Sequence, residues 1–189
     1  MTAIIPGSLT AISQHSNKFL AESFLSVDVL LLVDMSGSML ANDADGKARH
    51  EVAASELRRL QTEMPGKIGV VAFSNKAEFC PSGIPTPMFG GTNMVNALQL
   101  IKPADGVGIR FILISDGLPD DAEETLRVAR GFETHIDTVY IGPESGFDSY
   151  GKEFLKKLAA CTGGQGLESE GIAQLAEPVR LLLEAGKHA

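Results

Sequence analysis

The stretch VLLLVDMSGSML, residues 29 to 40, holds the side chains best spaced for chemistry. A run of apolar residues ends at Asp34, and Ser36 and Ser38 follow at every second position. With Gly37 between them to let the backbone turn tightly, three oxygen-bearing side chains can converge on one point. Further oxygens stand at comparable places later in the chain: Thr92 after Gly90 and Gly91, and Asp116 after the apolar FILIS, with Ser115 beside it. None of these is an imidazole or a thiolate. Hard oxygen donors select Mg2+, Mn2+ or Ca2+ over zinc or copper. Few carboxylates among several hydroxyls suit a small octahedral ion that keeps some of its water, so Mg2+ is expected first, with Mn2+ or Ca2+ as substitutes.

Taken singly, each residue has an ordinary role. Asp34 could form a turn or a helix cap. Ser36 and Ser38 could cap the segment that follows, and Thr92 stands where an N-cap is expected. Asp116 before Gly117 reads locally as a turn. Their joint appearance gives the metal reading its weight.

The elements that must position them alternate along the chain. Residues 26–34, 67–74, 109–115 and 135–142 are apolar runs of strand length, as in strands buried on both faces. SNK reads as a turn into AEFC (77–80), making an antiparallel hairpin. Ala53, Leu57, Leu60 and Met64 recur at helical spacing. The Pro- and Gly-rich 81–91 must be loop. Met94, Ala97, Leu98 and Ile101 mark a helix over 92–101, and Ala122, Leu126 and Ala129 another that ends at Gly131. A helix over YGKEFLKKLAACTGG stops at Gly163 and Gly164. A weak strand near GQGLES and a last helix from about Ala176, with Pro178 in its first turn, close the chain. Residues 1–24 read as an N-terminal extension with a helix from Leu9 to about Glu22, and residues 25–189 as the main domain. Strands alternating with helices predict an α/β sandwich around a mostly parallel sheet, with helices on both faces. In such sheets ligands bind beyond the carboxyl ends of the strands where the strand order reverses. Asp34 and Asp116 would share that crevice if their strands are neighbours.

Composition narrows the function classes. The chain has 189 residues, of which 44% are hydrophobic, enough for one domain with a sizeable core. Its net charge of −8 leaves no basic stripe for nucleic acid. Cys80 and Cys161 make no disulfide framework and should pack as small hydrophobes. The N-terminus lacks the basic and apolar regions of a signal peptide, and the apolar runs are far shorter than the ~20 residues that span a bilayer. These features lead us to expect no membrane association and a cytoplasmic location. His15, His50, His135 and His188 form no ligand spacing.

DMSGSM, the Thr of FGGTNM and the Asp of LISDGLPDD together resemble the metal-ion-dependent adhesion site of von Willebrand factor A domains. The resemblance covers roughly residues 26 to 185, and FLKKLAACTGG is similar to the late helix and glycine turn of many such domains. It implies a Rossmann-like sheet of about six strands in the order 3-2-1-4-5-6, with one short antiparallel edge. It also implies a metal set of Asp34, Ser36, Ser38, Thr92 and Asp116. Ser36 and Ser38 would bind directly, and Thr92 directly in a ligand-engaged state. Asp34 and Asp116 would act mostly through water, or Asp116 directly when Thr92 withdraws. Neutral direct ligands leave the ion much of its charge, and in this family a Glu or Asp carboxylate of a partner protein satisfies it. The implied function is a non-enzymatic, cation-dependent protein-binding module. We expect an intracellular adaptor or assembly factor, in a multi-subunit or ATPase-associated complex.

Two alternatives come from the same residues. Asp34 could be the nucleophile of a haloacid-dehalogenase-type phosphatase, with Ser115 and the Asp120–Asp121 pair mimicking later motifs. That chemistry needs a second aspartate two residues on as acid and base; Ser36 stands there, and its hydroxyl cannot do this near neutral pH. The third reading is a structural subunit whose metal only stiffens loops. A serine hydrolase lacks both the G-x-S-x-G elbow and a placed histidine. Asp120, Asp121, Glu123 and Glu124 crowd a helix start, where the macrodipole favours them. If they reach the site rim with Asp43 and Asp45, they would favour a partner with basic residues around its carboxylate. Met35, Met39, Leu40, Met88, Phe89 and Leu118 lie in or beside the site loops, and an exposed subset could form an apolar rim.

Overall fold

The computed structural model describes residues 4–16, 26–42, 46, 48–141, 149–168 and 176–185. Six strands form one sheet: β1 (Val29–Asp34), β2 (Ile68–Phe73), β3 (Ala77–Phe79), β4 (Arg110–Ser115), β5 (Ile136–Tyr140) and β6 (Gly166–Glu168). Their order is β3-β2-β1-β4-β5-β6, and every pairing is parallel except the β2–β3 hairpin. This is the predicted Rossmann-like arrangement, with the antiparallel strand at the edge.

Alternation along β1 explains the layers. Leu31 and Val33 face one side, where they meet Val70, Ala72, Ile112 and Ile114 under Val52, Ala53, Leu57 and Leu60 of α2 (Arg49–Glu63) and Val179 and Leu182 of α6 (Ala176–Ala185). Leu30 and Leu32 face the other side, with Phe73, Phe111 and Leu113. There the cover is α3 (Met94–Ile101), α4 (Ala122–Ala129) and α5 (Ser149–Thr162), through Leu98, Ile101, Leu126, Leu155 and Leu158. All six residues of β1 are buried, which is why it reads as a continuous apolar run and not as an alternating one. Cys80 joins the first core and Cys161 packs against the second, both as free thiols.

The N-terminal helix α1 spans Leu9–Ser16, capped by Ser8, whose Oγ accepts from Ala11 N at 3.3 Å. The expected continuation to Glu22 lies outside the described residues, as do Asp43, Asp45 and His188. The segment is docked: Ile5 and Leu9 are buried, Ile5 N donates to Ser82 O and Gly66 N to Gly7 O. Gly7 sits at φ +85°, where a Cβ would lie 2.1 Å from the Gln61 carbonyl oxygen in the last turns of α2. A methyl group there would collide with that carbonyl and also strain the backbone. Gly7→Ala should therefore lower unfolding free energy by more than about 1 kcal/mol in urea titrations; an unchanged midpoint would show that this contact contributes nothing.

Candidate functional site

β1 and β4 are parallel neighbours, with Val33 opposite Ile114, so Asp34 and Ser115 end their strands side by side. β1 lies at the reversal of strand order, since the chain moves outward from it in both directions. Asp34 is wholly buried, and its two oxygens find their donors inside the protein. Ser36 N donates to Oδ1 at 2.8 Å and Ser115 Oγ to Oδ2 at 2.6 Å. The first bond folds the backbone past the strand end and brings Ser36 into the crevice. Ser36 Oγ lies 3.1 Å from Ser38 Oγ, and Ser38 Oγ donates to Asp116 Oδ1 at 2.7 Å. Asp116 Oδ2 accepts from Arg49 Nη1 at 2.6 Å. One polar chain thus joins Asp34, Ser36, Ser38 and Asp116.

Thr92 stands on the adjoining loop, which is clamped from three directions. Gly37 N donates to Gly90 O at 3.1 Å, and Gly91 N to Asn75 Oδ1 at 2.7 Å. Asp120 takes Thr92 N at 2.9 Å and returns its own N–H to Thr92 O at 3.0 Å. Thr92 is not the cap of α3, as its position suggested; Asn93 does that, accepting from Asn96 N at 3.0 Å. The Thr92 hydroxyl is therefore relieved of capping. Ser36 makes no capping bond to the short 3-10 turn of residues 37–40 either, so the local explanation for that serine fails.

The expectation for Gly37 needs correcting. Its φ lies outside the left-handed region, and a Cβ there would meet only Gly90 O, at an ordinary 3.6 Å. The glycines that the site needs are Gly90, at φ 133° against the Asn75 side chain, and Gly91, where a Cβ would stand 2.6 Å from Asp120 Oδ1. The acidic cluster also divides its labour. Asp121 caps α4 through Glu124 N at 2.9 Å, Glu124 pairs with Arg127, and Asp120 holds the Thr92 loop.

Asp34 titrates abnormally. Burial pushes its carboxyl up to about 6 against the opposing hydrogen bonds from Ser115 and Ser36, and the nearby Asp116 charge adds to the rise. The donor set suits a small hard cation. The Ser36–Ser38 oxygen separation of 3.1 Å is a hydroxyl–hydroxyl hydrogen bond. It is also close to the edge of an octahedron with Mg–O distances near 2.1 Å, about 3.0 Å; Ca2+ would ask for roughly 3.3 Å or more. Gly37 and Ser38 are exposed, which leaves the crevice open to solvent. Among the described residues no group of three or more His, Cys, Asp and Glu side chains is placed to hold a metal ion.

Arg49, Asn75 and the clamping role of Asp120 were missed by sequence reasoning. Arg49 carried a readable signal: it opens α2, the end at which the macrodipole disfavours a cation.

No protein-family model and no curated protein sequence matches the chain. Solved structures match its fold. An aerotolerance-related membrane protein from Bacteroides fragilis NCTC 9343, carrying multiple mutations to serines, superposes with a TM-score of 0.63 at 17% identity, over 84% of this chain and 99% of that one. The conserved hypothetical protein BatB from Bacteroides thetaiotaomicron gives 0.62 at 20%, over 86% and 100%. A D319A mutant of the PilB minor pilin from Streptococcus sanguinis gives 0.65 at 12%, over 86% of this chain and 61% of that one. At these identities the likeness is one of fold. No helix among the described residues is long and apolar enough to cross a membrane.

The raised Asp34 value predicts a pH dependence. The folded state favours the neutral acid, so Asp34 contributes stability that is full below about pH 4 and is lost as pH rises through about 6. Asn cannot ionise, and Ser115 Oγ can turn to accept from its amide. In protein freed of divalent ions, Asp34→Asn should gain on wild type between pH 4.5 and 7, by up to about 3 kcal/mol in urea unfolding. A difference that stays constant over this range would contradict the buried, uncompensated carboxylate.

Proposed function

We propose that the carboxyl-end face of the sheet is a divalent-cation-dependent protein-binding site of the von Willebrand factor A type. The observation that carries this reading is the polar chain itself. Ser36, Ser38 and Asp116, from the loops after β1 and β4, are bonded to one another around an open crevice, with Asp34 beneath them. Ser36 and Ser38 would hold the ion by their hydroxyl oxygens, with Thr92 presented beside them by the Asp120 and Asn75 clamps. Asp34 keeps the Ser36 backbone in place, and Asp116 orients the Ser38 hydroxyl. Mg2+ fits the donor set best. A bound divalent ion would supply a positive site, left largely uncancelled by neutral ligands, for a Glu or Asp carboxylate of a partner protein.

The rim supports a protein as that partner. Phe89 and Leu118 are 75% and 48% exposed on the loops before Thr92 and after Asp116. Tyr150, 64% exposed, adjoins Gly151, whose backbone abuts Gly117. Large apolar side chains around a polar centre are the usual anatomy of a recognition surface. Met35 and Met39, by contrast, belong to the core. The fold is shared with a minor pilin and with aerotolerance-related proteins, which accords with an interaction module. We read the protein as non-enzymatic, because the position two residues after Asp34 offers a serine hydroxyl where phosphatase chemistry needs an acid. Action as an adaptor in a larger, ATPase-associated assembly is part of this proposal.

Melting curves with excess Mg2+ and with chelator test it. Wild type should melt several degrees higher with Mg2+, as a ligand at 100 times its Kd stabilises by about 2.7 kcal/mol. Ser36→Ala and Asp34→Ala should lose the Mg2+ response. A response kept in both variants would refute the site, and its absence from wild type would refute the metal.

A further inference from the structure

We propose that Arg49 makes this site take up an anion together with its cation: it opposes a divalent ion binding alone and favours ion and carboxylate binding as a pair. The inference rests on the cation reading above and assigns a selecting residue to that site.

Arg49 Nη1 meets Asp116 Oδ2 at 2.6 Å, where the Asp116 side chain is 1% exposed and that of Arg49 19%. The pair therefore sits at the mouth of the crevice, with the carboxylate inside and the guanidinium at the lip. Helix formation does not account for an arginine here, because position one of α2 is the end that repels cations. A guanidinium carries five N–H donors, and among the described residues the Asp116 contact is its one hydrogen bond. A guanidinium can hold a second carboxylate besides Asp116, in the fork geometry that arginine offers such groups.

The charges give the reason. Asp34 and Asp116 are buried and Arg49 is half-buried beside them, so among the described residues these three groups carry one net negative charge when both acids are ionised. Asp120 is exposed and acts through solvent. A divalent ion entering alone turns the cluster net positive, which is costly in a partly desolvated place. A carboxylate arriving with the ion restores neutrality. Without Arg49 the ion alone would balance the two acids, and an added carboxylate would leave an uncompensated charge. Arg49 thus couples the two ligands, and by linkage each must tighten the other equally.

Calorimetric titration of the full chain with Mg2+, in sodium chloride and in sodium acetate of equal ionic strength, tests this on wild type, Arg49→Gln, Arg49→Met, Arg49→Lys and Ser36→Ala. In chloride, Arg49→Gln should bind Mg2+ at least about tenfold tighter than wild type. Acetate should tighten Mg2+ binding to wild type and Arg49→Lys about threefold or more, and leave Arg49→Gln unmoved. Arg49→Met repeats the neutral test should the glutamine variant not unfold cooperatively. Equal Mg2+ affinity in wild type and the neutral variants, or an equal acetate response, overturns the proposal even where loss of binding in Ser36→Ala upholds the cation site. Binding in the neutral variants alone supports it, and binding in none of the proteins overturns both readings.

Discussion

Asp34 ends the central strand of the sheet fully enclosed, and a carboxyl group in that position has to find its hydrogen-bond donors within the protein. It finds them in Ser36 N and Ser115 Oγ, one on its own loop and one on the neighbouring strand. These two bonds set the path of the chain beyond β1 and lock it to the end of β4. The rest of the crevice depends on them. Once Ser36 is turned inward its hydroxyl meets that of Ser38, and Ser38 in turn reaches Asp116. Burial makes the arrangement costly when Asp34 is charged, which is why the group titrates near 6.

The loop bearing Thr92 is held by hydrogen bonds to its backbone, with Met88 packed against the core just before it. Gly90 and Gly91 let it pass close to Asn75 and Asp120, and each of these side chains takes one amide from the loop. Asn93 caps the helix that follows, so the threonine hydroxyl is not consumed by local structure. Three loops are thus brought to one end of the sheet by the strand order, and each is held by its own polar contacts. This is the arrangement expected where a scaffold is rigid and its loops carry the function.

The electrostatics of the crevice are unlike those of a plain acidic patch. Two acids are shared among hydroxyls and one arginine, and apolar side chains stand around them at Phe89, Leu118 and Tyr150. The chain as a whole carries a net charge of −8, so the arginine beside Asp116 stands out against an acidic background.

Most of the fold was legible along the chain, because strands buried on both faces leave continuous apolar runs and helices leave three- and four-residue spacing. β1, β2, β4 and β5 start one to three residues later than expected, and β2 and β5 end one and two residues earlier, while β1 and β4 end where expected. That Asp34, Ser36, Ser38 and Asp116 lie close together was legible too, since each lies within a few residues of a strand end. Other features were not. The arginine on Asp116 lies 67 residues away in sequence, and the Asp120 clamp on Thr92 spans 28. Which glycine carries the strained backbone, and whether Thr92 or Asn93 caps the helix, depends on how neighbouring loops approach. The sequence by itself determined the alternation of elements, the hard-oxygen character of the site and its place at the strand ends, because these follow from periodicity and residue type. Only the tertiary structure decided which side chains neutralise, cap and clamp, because those roles are set by distances between segments that the linear order does not encode.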